Sequence, residues 1–401
     1  MSAAQRQRPR TIWIVAGEES GDQLGAKLMR ALKERWGPDV TFSGVGGYAM
    51  AEEGLASLFP LADIAVMGYL PVLARLPTLL NRIHRCVVAI VSARPDALVI
   101  VDSPGFTHAV ASRVRKKQPG LPIIDYVSPS VWAWRPGRAR VMRAYVDHLL
   151  ALLPFEPAAH ERLGGPPTSY VGHPLIERLT ELRPGPSERH PIEEGPIELL
   201  VLPGSRRSEI SRLMQPFGEA LGIVAQSVAS SIVVTLPAVG HLAREIEAAV
   251  RAWPVETRIV LGEAAKLAAF RKAHAALAAS GTVTLELALA GIPMVVAYKV
   301  SKLEEQVKHF IAVPSIVLPN LILGENAIPE RIQWDCTPDK LAAALVPLLA
   351  RTPERQAQLK AFARLDEVMS TGDETPSARA ARIVAEVVAN GAMAGGRGAI
   401  S

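Results

Sequence analysis

Ile197-Glu198-Leu199-Leu200-Val201-Leu202-Pro203-Gly204-Ser205-Arg206-Arg207-Ser208-Glu209 decides the fold. A run of Ile, Leu and Val makes a buried strand, a Pro-Gly-Ser turn stops it, and residues 210–227 carry helical spacing. The chain opens with the same unit: a strand-like run at 11–16, the turn Gly17-Glu18-Glu19-Ser20-Gly21-Asp22, and a helix over 23–36. Between the two, strand-like runs at 41–45, 97–101, 123–127, 148–152 and 168–171 alternate with helical ones at 72–92, 107–117 and 138–145. Beyond, strands at 231–236, 258–260, 275–278 and 293–298 alternate with helices at 242–252, 264–272 and 284–290. Such alternation demands crossover connections and therefore parallel sheets covered on both faces. Residues 182–196 break the pattern with Pro, Gly and charge. The sequence predicts an α/β protein of two Rossmann-like domains, 1–182 and 197–390, joined by a linker over 183–196. Helices at 340–349, 353–368 and 377–389 are assigned to the second domain, and the Gly/Ala-rich tail 391–401 is predicted to be disordered. In paired sheets of this kind a ligand sits beyond the carboxyl ends of the strands, in the cleft between the domains.

A chain of 401 residues with 49% apolar content is long enough for two such cores. The apolar run Ile12 to Ala16 is too short for an export signal, and the longest apolar stretch, 86–101, is interrupted by Arg94-Pro95-Asp96. Membrane contact is therefore predicted to be peripheral. Cys86 and Cys336 lack a CxxC partner, which fits a reducing compartment, the cytoplasm, and argues against zinc. The net charge of +5 points to an anionic partner. The basic groups at Arg113, Arg115, Lys116 and Lys117 and at Arg135, Arg138, Arg140 and Arg143 lack the stacking aromatics of a nucleic-acid arm.

Polar motifs cluster where strands end. Glu18, Ser20 and Asp22 follow the first strand in a glycine-bounded turn that fits either a phosphate or sugar site or a capped helix start. Asp102, in Val101-Asp102-Ser103-Pro104-Gly105, is placed either as a general base or as a helix cap. In the second half, Gly204 and Ser205 form a turn that exposes N–H groups beside the Arg206 guanidinium, a combination suited to a diphosphate. Ser280, Gly281 and Thr282 open a helix in which Glu286, one turn in, can hold two ribose hydroxyls. Asn320 is an amide inside an apolar stretch and needs partners. No metal-ligand cluster stands out, which favours a leaving diphosphate neutralised by Arg and backbone amides. Leu70, Leu73, Leu76 and Leu80, widened by Val72 and Leu79 and edged by Arg75, Arg82 and Arg85, form an apolar face. That face fits acyl chains or an acidic bilayer surface, and equally an amphipathic core helix.

The stretch 125–138, Asp-Tyr-Val-Ser-Pro-Ser-Val-Trp-Ala-Trp-Arg-Pro-Gly-Arg, runs a strand into a rigid loop, where Trp132 and Trp134 either line a site or wedge two layers together. With AGEESGD (16–22), GVGG (44–47), VDSPGF (101–106), ALLPFE (151–156), VGHP (171–174), LPGSRRSE (202–209), ASGTVTLE (279–286) and VLPN (317–320), it occurs in the order seen in lipid-A-disaccharide synthases. The chain resembles that family over nearly its whole folded length. The resemblance implies a GT-B fold and a metal-independent, inverting glycosyltransferase needing no cofactor. Its substrates would be UDP-2,3-diacylglucosamine and 2,3-diacylglucosamine 1-phosphate, its products lipid A disaccharide 1-phosphate and UDP. It further implies a Gram-negative cytoplasm, a peripheral place on the inner membrane and no nucleic acid, and it leaves a homodimer open. By the same resemblance Asp102 is the base, Arg206 the diphosphate arginine, Glu18 and Ser20 first-loop acceptor residues, and Asn320 a functional amide. The leucine-rich segment becomes the membrane or acyl-chain patch, with domain 1–182 binding acceptor and lipid and domain 197–390 binding UDP-sugar. Residues 303–313 are more polar than the family pattern, and Glu19 and Gly324-Glu325-Asn326 also depart from it. The competing readings are a UDP-N-acetylglucosamine 2-epimerase-like enzyme, which should lack the leucine-rich segment, and a non-catalytic sugar-nucleotide or lipid-binding protein.

Overall fold

A computed structural model describes residues 9–65, 75–300 and 313–397. Leu70, Val72, Leu73 and residues 303–312 lie outside the described residues. Two compact units divide the chain: residues up to Pro174 together with those from Thr371 onward form the first, and Leu175–Ser370 the second.

The first unit is built on seven parallel strands: β1 (Arg10–Ala16), β2 (Val40–Val45), β3 (Ala56–Ser57), β4 (Ala97–Val101), β5 (Ile123–Tyr126), β6 (His148–Ala151) and β7 (Thr168–Tyr170). Their spatial order is β3-β2-β1-β4-β5-β6-β7. Every residue of β4 is buried, because helices cover both faces of the sheet. One layer is set by the helix Glu19–Trp36, which turns Leu24, Leu28, Met29 and Leu32 onto Ile12, Ile14 and Val99. The other is set by Leu76–Ala93 and Thr107–Lys117, which bury Ile83, Val87, Val110 and Val114 against Val15, Leu98 and Ile100.

The second unit repeats the plan with β8 (Ile197–Leu202), β9 (Ile232–Ala238), β10 (Thr257–Leu261), β11 (Ala275–Ala279), β12 (Met294–Tyr298) and β13 (Glu330–Ile332), all parallel, in the order β10-β9-β8-β11-β12-β13. Strand order reverses direction between β1 and β4 in the first unit and between β8 and β11 in the second. At such points neighbouring crossovers leave to opposite faces and open a crevice at the carboxyl ends of the strands.

The domain boundaries read from the sequence need three corrections. The last helix, Pro376–Arg397, belongs to the first unit: Ala380, Ala381, Ile383, Val384 and Val388 join the core formed by Leu24, Leu28 and Leu32. Residues 183–196 are no free linker but a strap on the second unit. Arg189 donates to the carbonyls of Phe270, Ala290 and Gly291 at 3.0–3.1 Å, Arg183 donates to Leu289 O at 2.9 Å, and Ile192 enters the core. Helix ends leave carbonyls without partners, and the two arginines satisfy them. Burial, with Arg355 adding repulsion, lowers the Arg189 pKa to about 10. The predicted tail at 391–401 is helical as far as Arg397, since Pro376–Arg397 continues through Gly391.

Candidate functional site

At the first switch point β1 and β4 end side by side, Ala16 paired with Val101. The chain leaves β1 through Gly17, where a Cβ would lie 2.1 Å from Ser103 Cβ, so only glycine lets the two loops meet. Glu18 is extended, immediately before the helix Glu19–Trp36, and its carbonyl accepts Asp22 N at 3.0 Å. Ser20, in the first turn, donates its hydroxyl to Asp102 Oδ2 at 3.4 Å. Asp22 does not cap its own helix, as one reading of the sequence had it. Its buried carboxylate accepts Gly47, Ala49 and Met50 N–H groups at 2.6–3.1 Å and so caps the short helix Tyr48–Glu52.

Asp102 and Ser103 both have left-handed backbone, φ +54° and +46°. For residues with a Cβ this costs of order 1–3 kcal/mol each, and it persists only where the surroundings hold it. Here Asp102 N donates to Tyr126 O at 3.1 Å, Ser103 N to Asp102 Oδ1 at 2.7 Å, and Thr107 Oγ1 to Asp102 O at 2.6 Å. One carboxylate oxygen is thus fixed by backbone while the other has Ser20 as its contact. A half-buried carboxylate oriented in this way can accept a proton from a hydroxyl.

The Trp-bearing loop follows β5 through Val127, whose φ of +90° is an outlier for a β-branched residue. Ser128 and Trp132 turn inward, onto the helix Glu156–Leu163. Ser128 Oγ meets His160 Nε2 at 2.8 Å, and Trp132 Nε1 donates to Glu156 Oε1 at 3.1 Å while its ring stacks edge-on against Phe155. Glu156 Oε2 accepts Leu153 N at 2.9 Å. Burial raises the Glu156 pKa to about 7 and lowers that of His160 to about 4. Ser128 and Trp132 therefore anchor the loop, and the loop's link to Asp102 is the Tyr126 carbonyl. Glu156 and His160 escaped the sequence reading as site residues, although Glu156 ends the ALLPFE motif.

At the second switch point a cavity of about 570 Å³ opens at the ends of β8, β9, β10 and β11. Gly204, Ser205, Arg206, Ser280, Gly281 and Thr282 line it, with Glu209, Glu263 and Lys266. The sequence suggested free N–H groups at the Gly-Ser turn. Instead Ser205 N and Arg206 N donate to Glu209 Oε2 at 2.9 and 3.1 Å, and Arg206 Nη1 pairs with Glu209 Oε1 at 3.1 Å. This capping box at the start of Arg207–Ser227 uses the amides and leaves the guanidinium, 61% exposed, as the cation at the cavity. Gly204 has φ +111°, and a Cβ there would lie 2.2 Å from Glu209 Oε2. Glu286 is held by Lys266 Nζ at 2.6 Å and is not itself in the cavity lining. Asn320 is likewise absent from the lining; its amide pairs with the backbone of Ile328 and with Glu330 Oε1 at 2.9–3.0 Å. Among the described residues no group of three or more His, Cys, Asp or Glu is placed to hold a metal ion.

A family model described as lipid-A-disaccharide synthetase matches residues 12–386. The chain belongs to this family. It is 56% identical to the lipid-A-disaccharide synthase of Rhodopseudomonas palustris strain HaA2, over 94% of this chain and 96% of that one. Its identity to the enzyme of Nitrobacter winogradskyi is also 56%, with the same coverage. Among solved structures it resembles a putative UDP-N-acetylglucosamine 2-epimerase from Listeria monocytogenes (TM-score 0.61, 16% identity, covering 95% and 96% of the two chains). It also resembles Acinetobacter baumannii MurG (TM-score 0.56, 12% identity, covering 94% and 100%). These likenesses show the GT-B fold alone. Family membership makes the chain a glycosyltransferase of lipid A biosynthesis and sets aside the epimerase reading. No helix among the described residues is long and apolar enough to cross a membrane.

Proposed function

We propose that the chain transfers 2,3-diacylglucosamine from UDP to the 6-hydroxyl of 2,3-diacylglucosamine 1-phosphate, with inversion and without a metal ion. Asp102 takes the hydroxyl proton as that oxygen attacks the anomeric carbon. The bond from that carbon to the diphosphate oxygen breaks, and UDP leaves with the electron pair. Glu18 and Ser20 shape the acceptor side, and Ser20 steadies the Asp102 carboxylate. Arg206 and the turn through Ser280, Gly281 and Thr282 meet the diphosphate, with Gly204 and Ser205 allowing close approach, while Glu286 acts through Lys266, which lines the cavity. The observation that carries this reading is the left-handed turn at the first switch point, which fixes Asp102 under the Ser20 hydroxyl.

A peripheral place on the cytoplasmic face of the inner membrane draws support from the helix Leu76–Ala93. Leu76 and Leu80 are 42% and 50% exposed, while half-buried Leu79 ties the same helix to the core. The test supplies UDP-2,3-diacylglucosamine and the monosaccharide phosphate with and without EDTA. Disaccharide and UDP should appear equally in both. No disaccharide in either arm contradicts the reaction, and loss with EDTA alone contradicts the metal-free route.

A further inference from the structure

The donor cavity is connected by hydrogen bonds to a carboxylate that does not line it. Glu330, on β13, accepts Asn320 Nδ2 at 3.0 Å and the Ser315 hydroxyl on Oε1, and Ile316 N at 3.1 Å on Oε2. The Ile316 carbonyl in turn accepts the Ser280 hydroxyl at 2.7 Å, and Ser280 opens the Ser-Gly-Thr turn of the cavity wall. We propose that Glu330 is a positioning residue for the donor site: by gathering residues 315–320 it fixes the carbonyl that holds Ser280, and so sets the turn that meets the UDP-sugar.

The inference rests on reading the cavity as the donor site. An ionised carboxylate is acceptor-only, and Glu330 is met by donors alone, one side-chain amide, one hydroxyl and one backbone N–H. Ser315 is 4% and Asn320 2% exposed, so their donors have little access to water as an alternative partner. Because the Ser280 proton is committed to Ile316, that hydroxyl is no donor to a ligand; its part is to register the turn. Asn320 acts from the same knot, tying it to Ile328 as well. On this proposal Asn320, which does not line the cavity, acts by positioning rather than by contact.

Glu330→Gln puts an NH2 against one of these donors at nearly unchanged volume. Calorimetric titration of the full-length protein with UDP, together with KM for donor and for acceptor, tests the connection. Glu330→Gln should weaken UDP binding and raise the donor KM about tenfold, the usual scale for one buried donor left unsatisfied, with the acceptor KM unchanged. Ser280→Ala should show a similar loss, and the double variant no more than the worse single one. Glu330→Gln at wild-type UDP affinity, or additive losses in the double variant, would overturn the proposal. Should Glu330→Gln lack cooperative thermal unfolding, Ser280→Ala decides: an unchanged affinity overturns the connection, a tenfold loss supports it. Wild-type protein that fails to bind UDP would instead overturn the reading of the cavity.

Discussion

The two switch points occupy equivalent places in equivalent sheets, yet they are built from opposite materials. At the first, Asp102 and Ser103 hold left-handed backbone despite their side chains, pinned by hydrogen bonds to Tyr126, Thr107 and the Asp102 carboxylate. At the second, the turn is given to Gly204, which adopts φ +111° without a Cβ, and the amides after it are satisfied by Glu209. A group that moves a proton must be placed to a fraction of an ångström, and a strained, over-determined turn does that. A cavity that admits a diphosphate needs room and a cation, and glycine with an exposed guanidinium supplies both. On the proposed reaction, the chemistry falls to the first unit and donor affinity to the second.

The largest effect that would break this division concerns Asp102. Asp102→Asn should keep the fold and lower turnover about a thousandfold, the scale for loss of a general base. Disaccharide formation at saturating substrates measures it, and near-normal turnover would remove Asp102 from the role.

Next comes Glu156, which anchors the Trp132 loop of the first unit. Its folded pKa, raised from 4.5 to about 7 by burial, means that the native state binds more protons than the unfolded chain between those values. Stability from this group is full below pH 4.5 and falls as pH rises towards 7, by about 3 kcal/mol. His160, with a pKa depressed to about 4, has the opposite slope, so the comparison must be between variants. Denaturant unfolding of wild type and Glu156→Gln at pH 4.5 and pH 7.5 isolates the Glu156 slope; parallel curves would contradict it.

In the second unit Arg206→Ala should lower kcat/KM roughly a hundredfold by removing a charge-assisted contact to the diphosphate. Gly204→Ala should cost about 1–3 kcal/mol of stability, read as a lower melting temperature, because the methyl group meets the Glu209 carboxylate at a backbone angle that alanine avoids. An unchanged melting temperature would show that the turn is less constrained than its geometry implies.

The sequence revealed the features that depend on local order. Apolar runs marked eleven of the thirteen strands: the Ile, Val and Leu runs of β1, β4 and β8 were plain, while the two-residue edge strand β3 and the three-residue β13 carried no pattern of their own. Gly17, Gly204 and Gly281 were legible as turns because each follows a strand. What was not legible depends on partners distant in the chain. Nothing in Pro376–Arg397 tells which sheet its apolar face will cover, and the charged strap at 183–196 reads as a linker until Arg183 and Arg189 meet helix-end carbonyls about a hundred residues away. Asn320, an amide inside an apolar stretch, was legible as needing partners, but not which ones: they are Ile328 and Glu330.

The smallest expected effect is the most direct test of the division between the units. Calorimetric titration of Asp102→Asn with UDP should give a dissociation constant within about twofold of wild type, since a group that acts only on the acceptor proton contributes nothing to holding the nucleotide. A loss of about tenfold or more in UDP affinity, in a protein that still unfolds cooperatively, would contradict the account by placing Asp102 among the donor contacts.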